Sequence, residues 1–140
     1  MINIFERILV PYDDSKNSQR ALNKAIVLAN FTGAKITIVH VISYHKSIAK
    51  IIEPYPESLI DHVSKFLNKA KHYAARLAVD TNDKILYGSP ADEILKLMKK
   101  NKFDLVVVGR RGTSKLTGQY LGSVSNALVQ NSKVPVLVVQ

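Results

Sequence analysis

The sequence predicts an α/β protein built on an open, doubly wound, five-stranded parallel sheet in the order 3-2-1-4-5, with four helices, Rossmann-like in plan. Three observations carry that expectation. Short β-branched runs alternate with amphipathic stretches at helical spacing along the whole chain. The run DLVVVG at 104–109 is nearly all apolar, as suits a strand buried on both faces. Strand–helix alternation of this kind calls for parallel strands joined by right-handed crossovers.

Each element has its own signal. RILVPYD (7–13) reads as the first strand. Ser15 then caps a helix in which Ala21, Leu22, Ala25, Ile26, Leu28 and Ala29 recur at helical spacing, and Gly33 closes it. KITIVHVIS (35–43) is a strongly β-branched second strand, and 44–56 reads as a loop. From Pro56 the apolar positions Leu59, Val63, Phe66, Leu67, Ala70, Ala74 and Leu77 mark a long helix expected to end near Asp80. KILYG (84–88) is a short third strand. Ser89 and Pro90 open the next helix, with Asp92 and Glu93 in its first turn. DLVVVG (104–109) is the fourth strand, SVSNALVQN (123–131) the last helix and VPVLVVQ (134–140) the fifth strand.

Composition narrows the function classes. The chain has 140 residues, 46% of them hydrophobic, which fits one domain over 1–140 with a sizeable core. No apolar run approaches the ~18–20 residues needed to span a bilayer. The start, MINIFERILVPYDDS, lacks the pattern of a signal peptide, so a cytoplasmic location is expected. With no cysteine, disulfides and thiolate chemistry are excluded. His40, His45, His62 and His72 show no zinc spacing. The net charge of +9 is spread through every segment. Its densest cluster, Lys99-Lys100-Asn101-Lys102, sits where a helix should end and complements that helix dipole, so nucleic-acid binding is not expected.

The segment GRRGTSKLTGQYLGS (109–123) concentrates four glycines among three cations. Glycines clustered in a loop mean a sharp turn or a close approach. In the expected strand order, the crevice where ligands bind lies between strands one and four. PYDDS after strand one and GRRG after strand four would face each other across it. The helix opening at Gly122, Ser123, Val124 and Ser125 offers unpaired N–H groups and hydroxyls suited to phosphate, and Asp13 could accept from ribose hydroxyls. On composition alone the same loop could be a plain connection, with Ser123 or Ser125 only capping the helix. Neither a Walker A loop nor a dinucleotide GxGxxG occurs.

Gly109-Arg110-Arg111-Gly112, nine residues, then Gly122-Ser123 resembles the G-2x-G-9x-G-[ST] signature of the ATP-binding subgroup of universal stress proteins. ILVPYDDS, ITIVHVI, GSPADEIL, DLVVVGRRG and VPVLVV follow in the family's order, so the resemblance spans the whole chain. It implies a regulatory, stress-response protein that binds ATP, with Mg held mainly by the phosphates and no catalytic residues. It implies Asp13 at the ribose, Pro11 beside the base, and Val41 holding adenine through main-chain contacts. Gly109, Gly112, Gly122, Ser123 and Val124 match the ribose and phosphate cradle, and Ser125 joins them by its place at the helix start. It further implies a homodimer through the last strand, 134–140. The other readings are a slow ATPase, a binder of AMP or a cyclic dinucleotide, and a non-nucleotide interaction protein on the same fold. One departure stands out: Asp14 occupies the place of the usual glycine in D-G-S, where a positive φ is expected. Arg110, Arg111 and Lys115 could offset its charge.

Overall fold

A computed structural model describes residues 4–43, 56–111 and 121–140. Five strands alternate with four helices: β1 (Arg7–Pro11), α1 (Lys16–Thr32), β2 (Lys35–Ser43), α2 (Glu57–Arg76), β3 (Thr81–Gly88), α3 (Pro90–Lys100), β4 (Leu105–Gly109), α4 (Ser123–Asn131) and β5 (Val136–Val139). The strands form one sheet in the predicted order, β3-β2-β1-β4-β5, with every neighbouring pair parallel.

Strand alternation sorts side chains into two cores, because successive residues of a strand face opposite sides of the sheet. Ile8 and Val10 of β1, Ile36, Ile38 and Ile42 of β2, and Leu105 and Val107 of β4 face one side. There they meet Ala21, Leu22, Ala25 and Ile26 of α1 and Val63, Leu67 and Ala70 of α2. Leu9, Val39, Val41, Val106 and Val108 face the other side, against Ile94 and Leu97 of α3 and Leu128 of α4. The central strands β1 and β4 are therefore buried on both faces, which explains their continuous apolar runs. At the bottom of the sheet the Asp104 carboxylate accepts from the N–H groups of Glu6 and Arg7 at 2.7 and 2.8 Å, tying the chain entering β4 to the start of β1.

Several boundaries differ from expectation. β1 ends at Pro11: the Tyr12 N–H still donates to Val39 O at 2.8 Å, but Asp14, at φ 64, turns the chain into α1. α2 ends at Arg76 instead of near Asp80, closed by Ala78 at φ 63, whose neighbour Val79 donates to Ala74 O. β3 begins at Thr81, three residues ahead of KILYG, since Thr81, Asn82 and Asp83 pair in register with Ile36, Thr37 and Ile38. β5 is confined to Val136–Val139. Of the expected 44–56 loop, 44–55 lies outside the described residues, and Pro56 precedes the first turn of α2. Among the described residues no helix is long and apolar enough to cross a membrane.

Candidate functional site

The strand order reverses between β1 and β4, and both exits are fastened by short-range chemistry. After β1, Ser15 caps α1 by accepting from the Ser18 N–H at 3.2 Å. The Asp13 carboxylate accepts from the Ser15 N–H at 3.0 Å, which holds it at the mouth of the crevice. Asp14 takes up the left-handed conformation expected of the residue at this point. Its carboxylate accepts from the Tyr12 hydroxyl at 3.2 Å and from the Gln19 amide at 3.3 Å, so it is engaged on the α1 side.

After β4 the glycines serve close approach. A Cβ on Gly109 would lie 2.7 Å from the carbonyl carbon and oxygen of Asn17, so only glycine lets the first turn of α1 sit against the end of β4. A Cβ on Gly122 would lie 3.2 Å from Arg111 Cα. The Gly122 N–H donates to Arg110 O at 2.8 Å, and the buried Ser125 hydroxyl donates to the same oxygen at 2.7 Å. The N-terminus of α4 is thereby drawn to the exit of β4. Ser125 lines the crevice, but its proton is spent on this internal bond, so its role there is to hold the backbone.

Between these exits lies an open cavity of ≈ 270 Å³. Pro11, Asp13, Val41, Gly109, Gly122, Ser123, Val124 and Ser125 all line it. Gly112 lies outside the described residues, as does Lys115. Val39, Val41, Ile94 and Val108 give the cavity an apolar slot, while the start of α4 supplies backbone N–H groups and a partial positive charge. The two arginines part company: Arg111 lines the cavity, whereas the Arg110 guanidinium donates to the Gln140 side chain at 3.2 Å.

Tyr12, Ser18, His40, Ser43 and Pro90 also line the cavity and were not singled out by the sequence reading as site residues. The His40 Nδ1 lies 2.8 Å from Tyr12 O; a carbonyl only accepts, so Nδ1 carries the proton. The His40 ring meets Phe66 edge-on at 5.0 Å. Burial pushes its pKa below the ordinary 6.5, outweighing the opposing effects of the Tyr12 carbonyl bond and the Asp13 charge. Burial also raises the Tyr12 phenol, reinforced by the charge of Asp14 and the hydrogen bond to it. Both rings are therefore neutral near pH 7. Among the described residues no cluster of three His, Asp or Glu side chains is placed to hold a metal ion.

Comparison with known proteins gives a consistent picture. A family model described as the universal stress protein family matches residues 4–140. Universal stress protein YxiE of Bacillus subtilis is 36% identical over 149 residues, covering 98% of this chain and 100% of that protein. Among solved structures, universal stress protein UspA from Lactobacillus plantarum superposes with a TM-score of 0.87 at 25% identity, covering 97% of this chain and 98% of that one. A universal stress protein crystallised in complex with cAMP aligns at a TM-score of 0.77 and 26% identity, over 98% of each chain.

Proposed function

The chain belongs to the universal stress protein family, and from that premise we propose that it is a cytoplasmic, ATP-binding regulatory protein that holds ATP at the switch point between β1 and β4. One observation carries the reading. The cavity at that point gathers every described residue that the sequence motifs mark for the nucleotide, from both sides of the crevice.

The donor set fits an adenine nucleotide. The slot of Val39, Val41 and Val108 suits a flat base, with Val41 offering main-chain contacts and Pro11 beside it. Asp13, oriented by the Ser15 N–H, accepts from ribose hydroxyls. Ser123 and Val124 present backbone N–H groups to the phosphates at the positive end of α4, while Gly109 and Gly122, the motif glycines that line the cavity, leave room beside them. Arg111 adds a cation at the cavity wall. A Mg ion would be held mainly by the phosphate oxygens, since no carboxylate cluster among the described residues is placed to take it. Fast hydrolysis would need a group poised to take a proton or to orient water. With its Nδ1 proton on Tyr12 O, His40 keeps a basic Nε2, but its ring packs against Phe66 on the side of the sheet away from the Val39 and Val41 slot, which favours a binding role over turnover. The relative crystallised with cAMP favours a second reading, another adenine nucleotide in the same cradle.

Ser123 provides the test. It is exposed at the first position of α4, where a carboxylate suits the helix dipole but repels phosphate. Ser123→Glu should keep or raise stability by about 0.3–1 kcal/mol while weakening Mg-ATP binding by about tenfold or more, the loss of roughly one charge-assisted hydrogen bond. Mass spectrometry of nucleotide released from freshly purified protein, followed by calorimetric titration of the emptied protein, reads both. Released AMP or a cyclic nucleotide would favour the second reading; equal ATP affinity in the variant would refute the site.

A further inference from the structure

A second cavity, of ≈ 330 Å³, opens on the opposite side of Tyr12, between α1 and α2. The backbones of the two helices come close at few points, and a groove opens over their shared face of the sheet. Leu22 and Ala70 give its floor an apolar surface, and Tyr73 stands on its wall. Lys69 and Arg76 lie two helical turns apart on α2 and bring two cations to the same opening. The Arg76 guanidinium sits 5.9 Å from the centre of the Tyr73 ring. Asn23 contributes an amide from α1.

The balance of donors and acceptors decides the ligand class. Asp14, the acidic group of the lining, already accepts from Tyr12 and Gln19. Lys69 and Arg76 have no acidic partner among the described residues. An apolar floor, an aromatic wall and two cations that outweigh the single charge of Asp14 recognise a small organic anion with a flat apolar body. We propose that the α1–α2 cavity is a second ligand site for such an anion, an aryl carboxylate or an aryl phosphate monoester, separated from the first cavity by Tyr12. It stands independently of the nucleotide reading, since the residues that recognise the anion are absent from the first cavity.

Titration of ¹⁵N-labelled protein with phenyl phosphate, benzoate and neutral benzamide tests this, first alone and then with the first cavity saturated by Mg-ATP. Phenyl phosphate or benzoate should shift the amides of Asn23, Lys69 and Tyr73, with or without Mg-ATP, and benzamide should not. The stronger of the two anions identifies the preferred head group. The Lys69→Gln, Arg76→Gln double variant, both changes at exposed helical positions that glutamine suits, should bind about tenfold or more weakly. Shifts confined to Val41 and Ser123, shifts scattered over the basic surface, or an unchanged double variant would each overturn the proposal.

Discussion

His40 sits where β2 meets the crevice, its ring edge-on to Phe66 and its Nδ1 proton on the Tyr12 carbonyl. Burial lowers its pKa in the folded chain, Asp13 and the carbonyl bond oppose that shift, and His62 adds to it. The folded state therefore binds fewer protons than the unfolded chain below the ordinary value of 6.5. The stabilisation from neutral His40 is complete above that value and is lost as the pH falls through the depressed folded value. Urea midpoints measured across this window should fall with acidification in the wild type. His40→Gln, which keeps an amide donor for the carbonyl, should show a shallower fall; superimposable profiles would remove His40 from the pH response. The same residue shows what the sequence could not disclose. Pro11, Asp13 and Val41 were legible because they stand at strand ends or in a recognisable motif. Alternation assigns His40 to the same side as Ile38 and Ile42, away from Val39 and Val41, and only the open end of β2 lets it border the cavity.

Helix termini and the outer strand were the elements read least well, and each misreading has a local cause. Gly33 marks the end of α1 openly, in the left-handed conformation at φ 76. α2 ends with the same geometry on Ala78, at φ 63, so the expected glycine signal is absent and the apolar spacing seemed to run on to Asp80. An L-residue with a Cβ in this region costs about 1–2 kcal/mol. Ala78→Gly removes that strain and gives back part of it through the greater freedom of the unfolded chain. The net expectation is a gain of about 0.5–1 kcal/mol, read as a higher denaturant midpoint at unchanged slope. A midpoint that stays or falls would show that Ala78 is unstrained. The start of β3 was hidden for a different reason. Asn82 and Asp83 have little intrinsic β preference, and their pairing depends on tertiary partners. Thr37 donates to the Asn82 side chain at 2.7 Å and Lys71 reaches Asp83 at 3.0 Å, contacts that no local pattern announces.

At the scale of the whole molecule the sheet ends on two unlike edges. β3 carries Asn82, Asp83 and Lys84, polar residues that discourage further pairing. β5 is Val-Leu-Val-Val, with Leu137 exposed, and invites it. Pro135 O and Val139 O accept from the N–H groups of Val106 on β4 and of Arg110 just beyond it. Main-chain groups alternate in direction along a strand, so those of Val136 and Val138 point to the open edge. A second copy pairing there would use the Val138 N–H and bury Leu137, the homodimer implied by the family resemblance. Val138→Pro tests this more cleanly than a charge at Val136 or Val138, whose side chains pack on the α3–α4 side of the core. Proline is tolerated on an edge strand where its missing N–H faced outward. It should convert the dimer to a monomer on sizing while leaving the fold intact. Leu137→Pro, which removes a group directed at β4, should instead destabilise the sheet itself. Two chains of net charge +9 repel each other as they approach. Added salt screens that repulsion, so the dimer should tighten between low and physiological ionic strength. A dimer that survives Val138→Pro would move the interface to another surface, and one that weakens with salt would mean that ion pairs hold it in place of the apolar edge.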